Sequence, residues 1–235
     1  ILPVSSCWLV WDKRRGTTPD NFADGELIWT SFNGQIRIFS HLWRGMFRDS
    51  ERGERYHPTQ KPVRLMEWII EMFTKEGDII LDPFLGSGST LTTTIEKIGA
   101  KKVKKVWGIE PLPLPALLAY ASLLHSMNGK KDAITVIVGD AFKEISKMFS
   151  PFVQSELLKA DVILTNPPFT RWKYLEKEYR KYLLSVIEKL GYKRYITRKE
   201  VSLQTLSMFL CDYILNYNGL LISVLPASTF YTIYG

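Results

Sequence analysis

The order of hydrophobic and polar positions predicts that helices and strands alternate from about residue 63 onward. Short apolar runs bounded by polar residues or glycine predict buried strands, and apolar residues three or four positions apart predict helices. The predicted strands are 78–81, 105–109, 133–138, 161–164 and 219–225. The predicted helices are 63–75, 89–98, 115–127, 142–149, 174–190 and 203–217. This alternation is typical of an α/β protein with a doubly wound, mainly parallel sheet.

The first part of the chain has a different pattern. Residues 6–11 and 26–32 are strand-like, and the turn-rich stretch 14–24 between them predicts an antiparallel hairpin. Segment 44–56 alternates arginine with acidic residues and is predicted to be an exposed charged loop. We therefore divide the chain into an N-terminal part, residues 1–62, and an α/β core, residues 63–235. The two are expected to form one compact domain.

Composition and length agree with a globular α/β protein. The chain has 235 residues, of which 46% are hydrophobic and 23% charged. No apolar run approaches the roughly 18 residues of a membrane span, and charged residues interrupt the apolar start of the chain at Asp12. Cys7 and Cys211 are too far apart and too few to predict a disulfide framework or a metal site. We expect no membrane attachment, no metal and a cytoplasmic location.

The net charge of +7 is compatible with a polyanionic partner such as nucleic acid. Segment 171–199 interleaves basic and aromatic residues, a pattern that nucleic-acid grooves use to bind phosphates and stack bases. We predict a helical basic and aromatic insertion over 171–207, with nucleic-acid contacts at its start from Arg171, Trp172 and Lys173. A solvated helix face on which glutamates pair with the basic residues is the alternative.

Polar residues follow the predicted strands at the ends where open α/β sheets bind their ligands. Gly86 and Gly88 follow the first strand and permit a tight turn before a helix. Glu110 ends the second strand, where an acid holds a ribose diol, and Asp140 follows the third, placed to accept from an adenine amino group. These positions predict a nucleoside cofactor. A nicotinamide cofactor is disfavoured, because the third glycine of that fingerprint is missing and Pro83 and Phe84 replace its usual context.

The fourth strand is followed by Asn166-Pro167-Pro168-Phe169. Each proline restricts the residue before it to extended geometry, which directs two acceptors, the Asn166 amide oxygen and the Pro167 carbonyl, beside an aromatic ring. This arrangement suits a flat ring that carries an exocyclic amino group and stacks on Phe169. A strand-end turn with a buried phenylalanine is the alternative.

Together these motifs resemble those of the amino-group DNA methyltransferases that use S-adenosylmethionine. DPFLGSGST, residues 82–90, resembles the cofactor loop of this family, and NPPF resembles its catalytic motif. HPTQKPV, residues 57–63, resembles the segment that closes over the methionine moiety, and the WDK and ELIW sequences resemble a strand pair of the same members. The resemblance implies a Rossmann-like class I methyltransferase sheet of seven strands with an antiparallel hairpin. The cofactor-binding residues that it implies are Thr59, Gln60, Lys61, Asp82, Pro83, Phe84, Gly86, Gly88, Glu110, Asp140 and Asn166.

The order of the motifs departs from the family pattern. In members with HPTQKPV just before the cofactor loop, the catalytic motif normally lies upstream, whereas here it lies downstream, after the fourth predicted strand. The N-terminal hairpin could supply the last two strands of a circularly permuted sheet. Alternatively, the chain is a fragment or hybrid that lacks the strands after Leu225. We favour the permuted sheet.

The resemblance implies transfer of a methyl group from S-adenosylmethionine, which leaves S-adenosylhomocysteine, to a base flipped out of DNA. Asn166, Pro167 and Phe169 are the implied catalytic residues. Asparagine before Pro-Pro favours adenine N6, whereas the cytosine N4 enzymes usually carry serine. A non-catalytic cofactor-binding or DNA-binding subunit of a restriction-modification system is a further alternative. No target-recognition domain is evident, so a separate target-recognition or restriction subunit is an expected partner; the sequence does not indicate an oligomeric state.

Overall fold

The computed structural model describes residues 6–17, 23–51, 61–149, 159–196 and 201–225. Most of them form an eight-stranded sheet with helices on both faces. Its strands are β1 (Leu9–Asp12), β2 (Gly25–Thr30), β3 (Arg37–Ser40), β6 (Ile79–Asp82), β7 (Lys105–Glu110), β8 (Ile134–Val138), β9 (Ala160–Thr165) and β10 (Leu215–Leu225). Two short strands, β4 (Trp43–Arg44) and β5 (Phe47–Arg48), form a separate hairpin. The helices are α1 (Val63–Phe73), α2 (Ser89–Ile98), α3 (Pro113–Ser126), α4 (Ala141–Ser146), α5 (Lys177–Lys189) and α6 (Leu203–Ile214).

The strand order is β3-β1-β2-β10-β9-β6-β7-β8. The five strands that follow residue 63 are mutually parallel, whereas β2 runs antiparallel to both β10 and β1. The predicted doubly wound α/β class with an antiparallel hairpin is confirmed.

The sheet has one strand more than the seven expected. The extra strand, β3, pairs in parallel with β1 at the edge of the sheet. It has no buried apolar run, because it lies at an edge, and Ile38 is 66% exposed. The periodicity of a buried strand therefore does not mark it in the sequence.

The N-terminal hairpin lies beside β10, which is the fifth strand of the α/β core. This is where the permuted arrangement places it: β2 contributes the antiparallel strand next to β10, and β1 lies outside it. The permutation of the motifs itself stays a prediction.

Two apolar cores lie on opposite faces of the sheet because successive strand residues point to opposite sides. Ile80 of β6 faces α1, α2 and α3, whereas Leu81 faces α4, α5 and α6. The buried residues of the first helix layer include Leu65, Ile69, Leu91, Ile95 and Leu123. Those of the second include Phe142, Leu183, Ile187, Leu206 and Phe209.

Three expectations about the elements need correction. The helix predicted to run to residue 217 ends at Ile214, and β10 begins at once, with a register shift before Leu220. The loop expected over 44–56 contains the β4–β5 hairpin, while residues 52–60 lie outside the described ranges. The first helix, predicted to run to residue 75, ends at Phe73. Over 171–207, α5 and the start of α6 pack into the same core as the sheet, and the interpretation of this stretch as a helical insertion stays a prediction. None of the described helices is long and apolar enough to cross a membrane.

Candidate active site

The polar residues predicted as a site converge at the edge of the sheet that is formed by the carboxyl ends of its parallel strands. Strands β9, β6, β7 and β8 are parallel neighbours, so their carboxyl ends lie side by side. Asp82 and Glu110 end β6 and β7, Asp140 lies two residues after β8, and Asn166 comes directly after β9. The topology therefore places these three acids at the same edge as the predicted catalytic motif.

The loop between β6 and α2 depends on two glycines with positive φ. Gly86 has φ 55° and Gly88, the N-cap of α2, has φ 81°. A Cβ atom at Gly88 would lie 2.8 Å from the Ala119 Cβ, so the loop packs directly against α3. Glycine at the N-cap also leaves the first-turn amides of α2 without a side-chain cap, which leaves the helix N-terminus able to receive an anionic or polar ligand group.

Asp82 is a buried carboxylic acid at the start of this loop, with 2% of its surface exposed. One carboxylate oxygen accepts hydrogen bonds from the Phe84 amide at 3.0 Å and from the Thr165 hydroxyl at 3.1 Å. Burial, with a smaller contribution from the charge of Glu110, raises the pKa of Asp82 to about 7, although both hydrogen bonds lower it. A ligand cation beside it would favour the ionised form.

The other two acids have defined partners in the protein. The two oxygens of Glu110 accept from the Gly86 and Leu112 amides, each at 3.0 Å, which fixes the glycine loop to the end of β7. One oxygen of Asp140 accepts from the Lys143 amide at 2.9 Å and caps α4. The other accepts from the Tyr179 hydroxyl of α5. The sequence contains no periodic signal for this last contact.

The Asn166 side chain presents an unsatisfied acceptor. Its carbonyl oxygen is buried and has no hydrogen-bond partner among the described residues. A buried acceptor left unpaired costs about 1–3 kcal/mol, so it is a candidate for pairing with a donor of a ligand. Pro167 is buried, and the half-buried Phe169 ring lies 5.9 Å from the Lys61 Nζ.

Lys61, the last residue of the HPTQK sequence, belongs to a charged cluster next to the catalytic motif. Its Nζ lies 2.5 Å from one Glu26 oxygen, and the Lys13 Nζ lies 3.2 Å from the other. Both ammonium groups also lie within 6 Å of the Trp11 ring centroid, at 5.8 and 5.5 Å. Burial alone would raise the pKa of Glu26, but Lys61 and Lys13 together hold it below its usual value.

Glu26 and Lys13 were not predicted as site residues. Their only sequence signal is their place in the WDK and ELIW sequences, at the ends of β1 and β2 that face the same sheet edge.

The remaining predicted site residues differ in burial, and two of them are not described by the structure. Thr59 and Gln60 lie outside the described residues. Pro83 is buried and Phe84 half-buried within the glycine loop. Arg171 and Lys173 are exposed, as a contact with nucleic acid requires, but Trp172 is 8% exposed and belongs to the second apolar core, which also contains residues of α4, α5 and α6. Trp172 cannot stack on a base from that position, so this part of the prediction is wrong.

Within the described ranges, no three His, Cys, Asp or Glu residues lie close enough together to hold a metal ion.

The sequence and the fold of this chain resemble those of one class of known proteins. Residues 9–108 match the model of the N6/N4 methyltransferase family, described as DNA methylase. A protein of Listeria monocytogenes assigned to the class I S-adenosylmethionine-dependent methyltransferases has a similar fold. Its TM-score is 0.54 at 16% identity, over 77% of this chain and 50% of that one. The methyltransferase subunit of a type I restriction-modification system from Streptococcus thermophilus has a TM-score of 0.55 at 18% identity, over 74% and 35% of the two chains.

The curated relatives point to a more specific group, the type II methyltransferases. The type II methyltransferase M2.DpnII of Streptococcus pneumoniae is 54% identical over 83 residues, which are 35% of this chain and 30% of that protein. The type II methyltransferase M.HindIII of Haemophilus influenzae is 35% identical over 107 residues, 41% of this chain and 35% of that protein. The resemblance to S-adenosylmethionine-dependent amino-group DNA methyltransferases is confirmed. The matches span about a third of these relatives.

Proposed function

We propose that this protein transfers the methyl group of S-adenosylmethionine to the N6 amino group of adenine in DNA. The observation that carries the proposal is the unpaired Asn166 oxygen at the sheet edge that also holds Asp82, Glu110 and Asp140. The match of residues 9–108 to DNA methylases supports the choice of DNA as substrate.

The residues at the sheet edge fit the parts of the cofactor. Glu110, at the end of β7, would accept from the ribose hydroxyls, and Asp140 would accept from the adenine amino group. Asp82 would pair with the ammonium group of the methionine moiety, which compensates the cost of ionising a buried carboxylic acid. Lys61, with Thr59 and Gln60 before it, would close over the carboxylate end of that moiety. Pro83, Phe84, Gly86 and Gly88 would shape the loop against which the cofactor lies.

Asn166 and Pro167 would prepare the target amine for reaction. When bound, S-adenosylmethionine supplies a methyl group on a positively charged sulfur; transfer would break the S–CH3 bond, leave S-adenosylhomocysteine and release one proton from the methylated amine to solvent. An aromatic amino nitrogen is a poor nucleophile because its lone pair is delocalised into the ring. Hydrogen bonds from its two N–H groups to the Asn166 oxygen and the Pro167 carbonyl would localise that lone pair and orient it. Such bonds strengthen as positive charge develops on the nitrogen, so they stabilise the transition state more than the bound substrate.

Phe169 would hold the target base outside the duplex. Flipping a base costs a few kcal/mol, and stacking on an aromatic ring returns about 1–3 kcal/mol. Arg171 and Lys173, exposed just after the catalytic motif, are proposed contacts to DNA phosphates. Since the matches cover about a third of the relatives and one structural neighbour is a subunit of a larger system, we also propose a partner that recognises the target sequence.

The proposal is tested by measuring the transfer of a radiolabelled methyl group from S-adenosylmethionine to DNA. Unmethylated duplex DNA is incubated with the protein and tritiated S-adenosylmethionine, and the nucleosides are then separated. Labelled N6-methyl-2′-deoxyadenosine supports the proposal, whereas labelled N4-methyl-2′-deoxycytidine supports the alternative that asparagine here serves a cytosine enzyme. Cofactor binding without transfer to any DNA would favour a non-catalytic subunit.

Asn166→Ala provides the variant that connects transfer to the site. We expect it to lower the transfer rate by at least about a hundredfold, the usual order for loss of one transition-state hydrogen bond. The dissociation constant for S-adenosylhomocysteine, measured by calorimetry, should change by less than about threefold. Full activity of this variant would contradict the assigned chemistry.

A further inference from the structure

The strongest unexplained contact in the site joins α5 to the third predicted cofactor acid. Tyr179 lies in the first turn of α5, and its hydroxyl donates to the Asp140 Oδ2. The Asp140 Oδ1 accepts from the Lys143 amide at 2.9 Å. Groups from α4 and α5 therefore donate to the two oxygens of the carboxylate, and the cap of α4 uses only one of them.

We infer that Tyr179 is a positioning residue that orients the Asp140 carboxylate toward the amino group of the cofactor's adenine. The inference rests on the proposed function, since it assumes that Asp140 receives that amino group. The role of Tyr179 follows from a contact between residues 39 positions apart, which no motif in the chain marks.

The Asp140 carboxylate can accept from its two protein donors and from the adenine amino group at the same time. An ionised aspartate has about four acceptor positions on its two oxygens, and the Lys143 amide and the Tyr179 hydroxyl use two of them. About two positions remain, and one of them would accept from the adenine N–H. The terminal torsion of an aspartate is broad and only weakly restricted by its own rotamer, so the Tyr179 hydroxyl narrows the range of orientations that the carboxylate adopts.

The Tyr179 hydroxyl remains a hydrogen-bond donor over the pH range in which the protein would work. Burial raises the pKa of its hydroxyl, and the hydrogen bond to the Asp140 carboxylate raises it further. The hydroxyl therefore stays protonated and donates to Asp140 at neutral and mildly alkaline pH.

A neighbouring tyrosine separates this role from a merely structural one. Tyr182 lies one turn further along α5, and its hydroxyl contacts the Ser146 hydroxyl at 3.0 Å and the Phe142 carbonyl at 3.5 Å. It joins α5 to α4 as Tyr179 does, but it touches none of the predicted cofactor residues. Both side chains are half-buried, and their rings stack with centroids 6.4 Å apart. Tyr182→Phe is therefore a matched control for Tyr179→Phe.

The experiment compares two ligands on three proteins. S-adenosylhomocysteine carries the 6-amino group, and S-inosylhomocysteine has an oxygen in its place. Binding of both is measured by calorimetry to the unmodified protein, to Tyr179→Phe and to Tyr182→Phe, with circular dichroism as a check on folding. We expect Tyr179→Phe to weaken S-adenosylhomocysteine binding about fivefold, the size of one modest hydrogen-bond effect, and to leave S-inosylhomocysteine binding unchanged. Tyr182→Phe should change neither.

Other outcomes would overturn the inference. Equal loss for both ligands in Tyr179→Phe would show that the hydroxyl supports the pocket as a whole, and no loss for either would show that Asp140 needs no support. Asp140→Asn gives an independent check, because adding Tyr179→Phe to it should cause little further loss of affinity. Failure of the unmodified protein to bind S-adenosylhomocysteine would instead contradict the proposed function itself.

Discussion

At the scale of single residues, Asp82 shows how burial and function oppose each other. Its carboxyl group is almost completely buried, and burial raises its pKa from the usual 3.8 to about 7. Between about pH 4 and 7 the folded protein therefore holds a proton at Asp82 that the unfolded chain has released. The contribution of Asp82 to stability falls as the pH rises through this range, because at this residue the folded state binds more protons.

Asp82→Asn should separate the effect of the buried carboxyl group on stability from its effect on cofactor binding. Asparagine accepts the same bonds from Phe84 and Thr165 but carries no charge. We expect the variant to be more stable than the parent at pH 8, measured by urea unfolding, and equally stable near pH 4. Its affinity for S-adenosylhomocysteine should be lower and nearly independent of pH between about pH 5 and 7, whereas the parent should lose up to about tenfold per unit below pH 7. Parallel pH profiles for the two proteins would contradict an ionised Asp82 in the complex.

At the scale of elements, the glycine loop and the two helices around it form one packed unit. Gly88 begins α2 and lies against Ala119 of α3, whereas a Cβ at Gly86 would meet nothing within 4 Å. Both residues have positive φ. They therefore share the conformational requirement for glycine and differ only in the space available.

Gly88→Ala and Gly86→Ala form a matched pair. Alanine costs about 1–2 kcal/mol in a left-handed conformation at either position. At Gly88 it adds a steric overlap with α3, for which overpacking costs typically reach about 1–3 kcal/mol. We expect Gly88→Ala to be the more destabilising by at least about 1 kcal/mol in urea unfolding. Ala119→Gly in the Gly88→Ala background should recover part of the loss, and equal losses at both glycines would contradict this packing argument.

At the scale of the whole molecule, the N-terminal hairpin and the α/β core share one sheet and one apolar core. β2 pairs with β10, and the Trp11 ring, 1% exposed, packs in the cluster that contains Leu65 and Ile80. These contacts join residues far apart in the chain, so loss of the hairpin packing should affect the core strands as well.

Trp11→Ala tests this connection. Truncation of a buried tryptophan costs about 3–5 kcal/mol, and we expect the amides of β9 and β10 to lose hydrogen-exchange protection together with those of β1 and β2. Phe47→Ala is the control, since Phe47 is 74% exposed and should change stability by no more than about 0.5 kcal/mol. Loss of protection confined to β1–β3 would show that the hairpin is a separate unit and that the prediction of one compact domain is wrong.

Much of the fold was predictable because the relevant signals are local. The central parallel strands β6, β7 and β9 are buried on both faces, so each is a nearly continuous apolar run, and Gly99 caps the end of α2, a helix that periodicity had already placed. The candidate site was predictable for a related reason: in a parallel sheet the carboxyl ends of strands meet, so residues such as Glu110 and Asn166 come together once the strands are known.

The sequence by itself therefore determined the α/β class, the parallel strands and the chemical groups at their ends. Tertiary structure alone decided which further residues join them. The exposed edge strand β3 has no buried periodicity, and Trp172 is a core residue because it belongs to the apolar cluster that helices and strands form on one face of the sheet. The Lys13–Glu26–Lys61 cluster and the Tyr179–Asp140 bond depend on elements that fold onto each other from distant parts of the chain. Periodicity and spacing describe neighbours along the chain, whereas these contacts arise from packing across it.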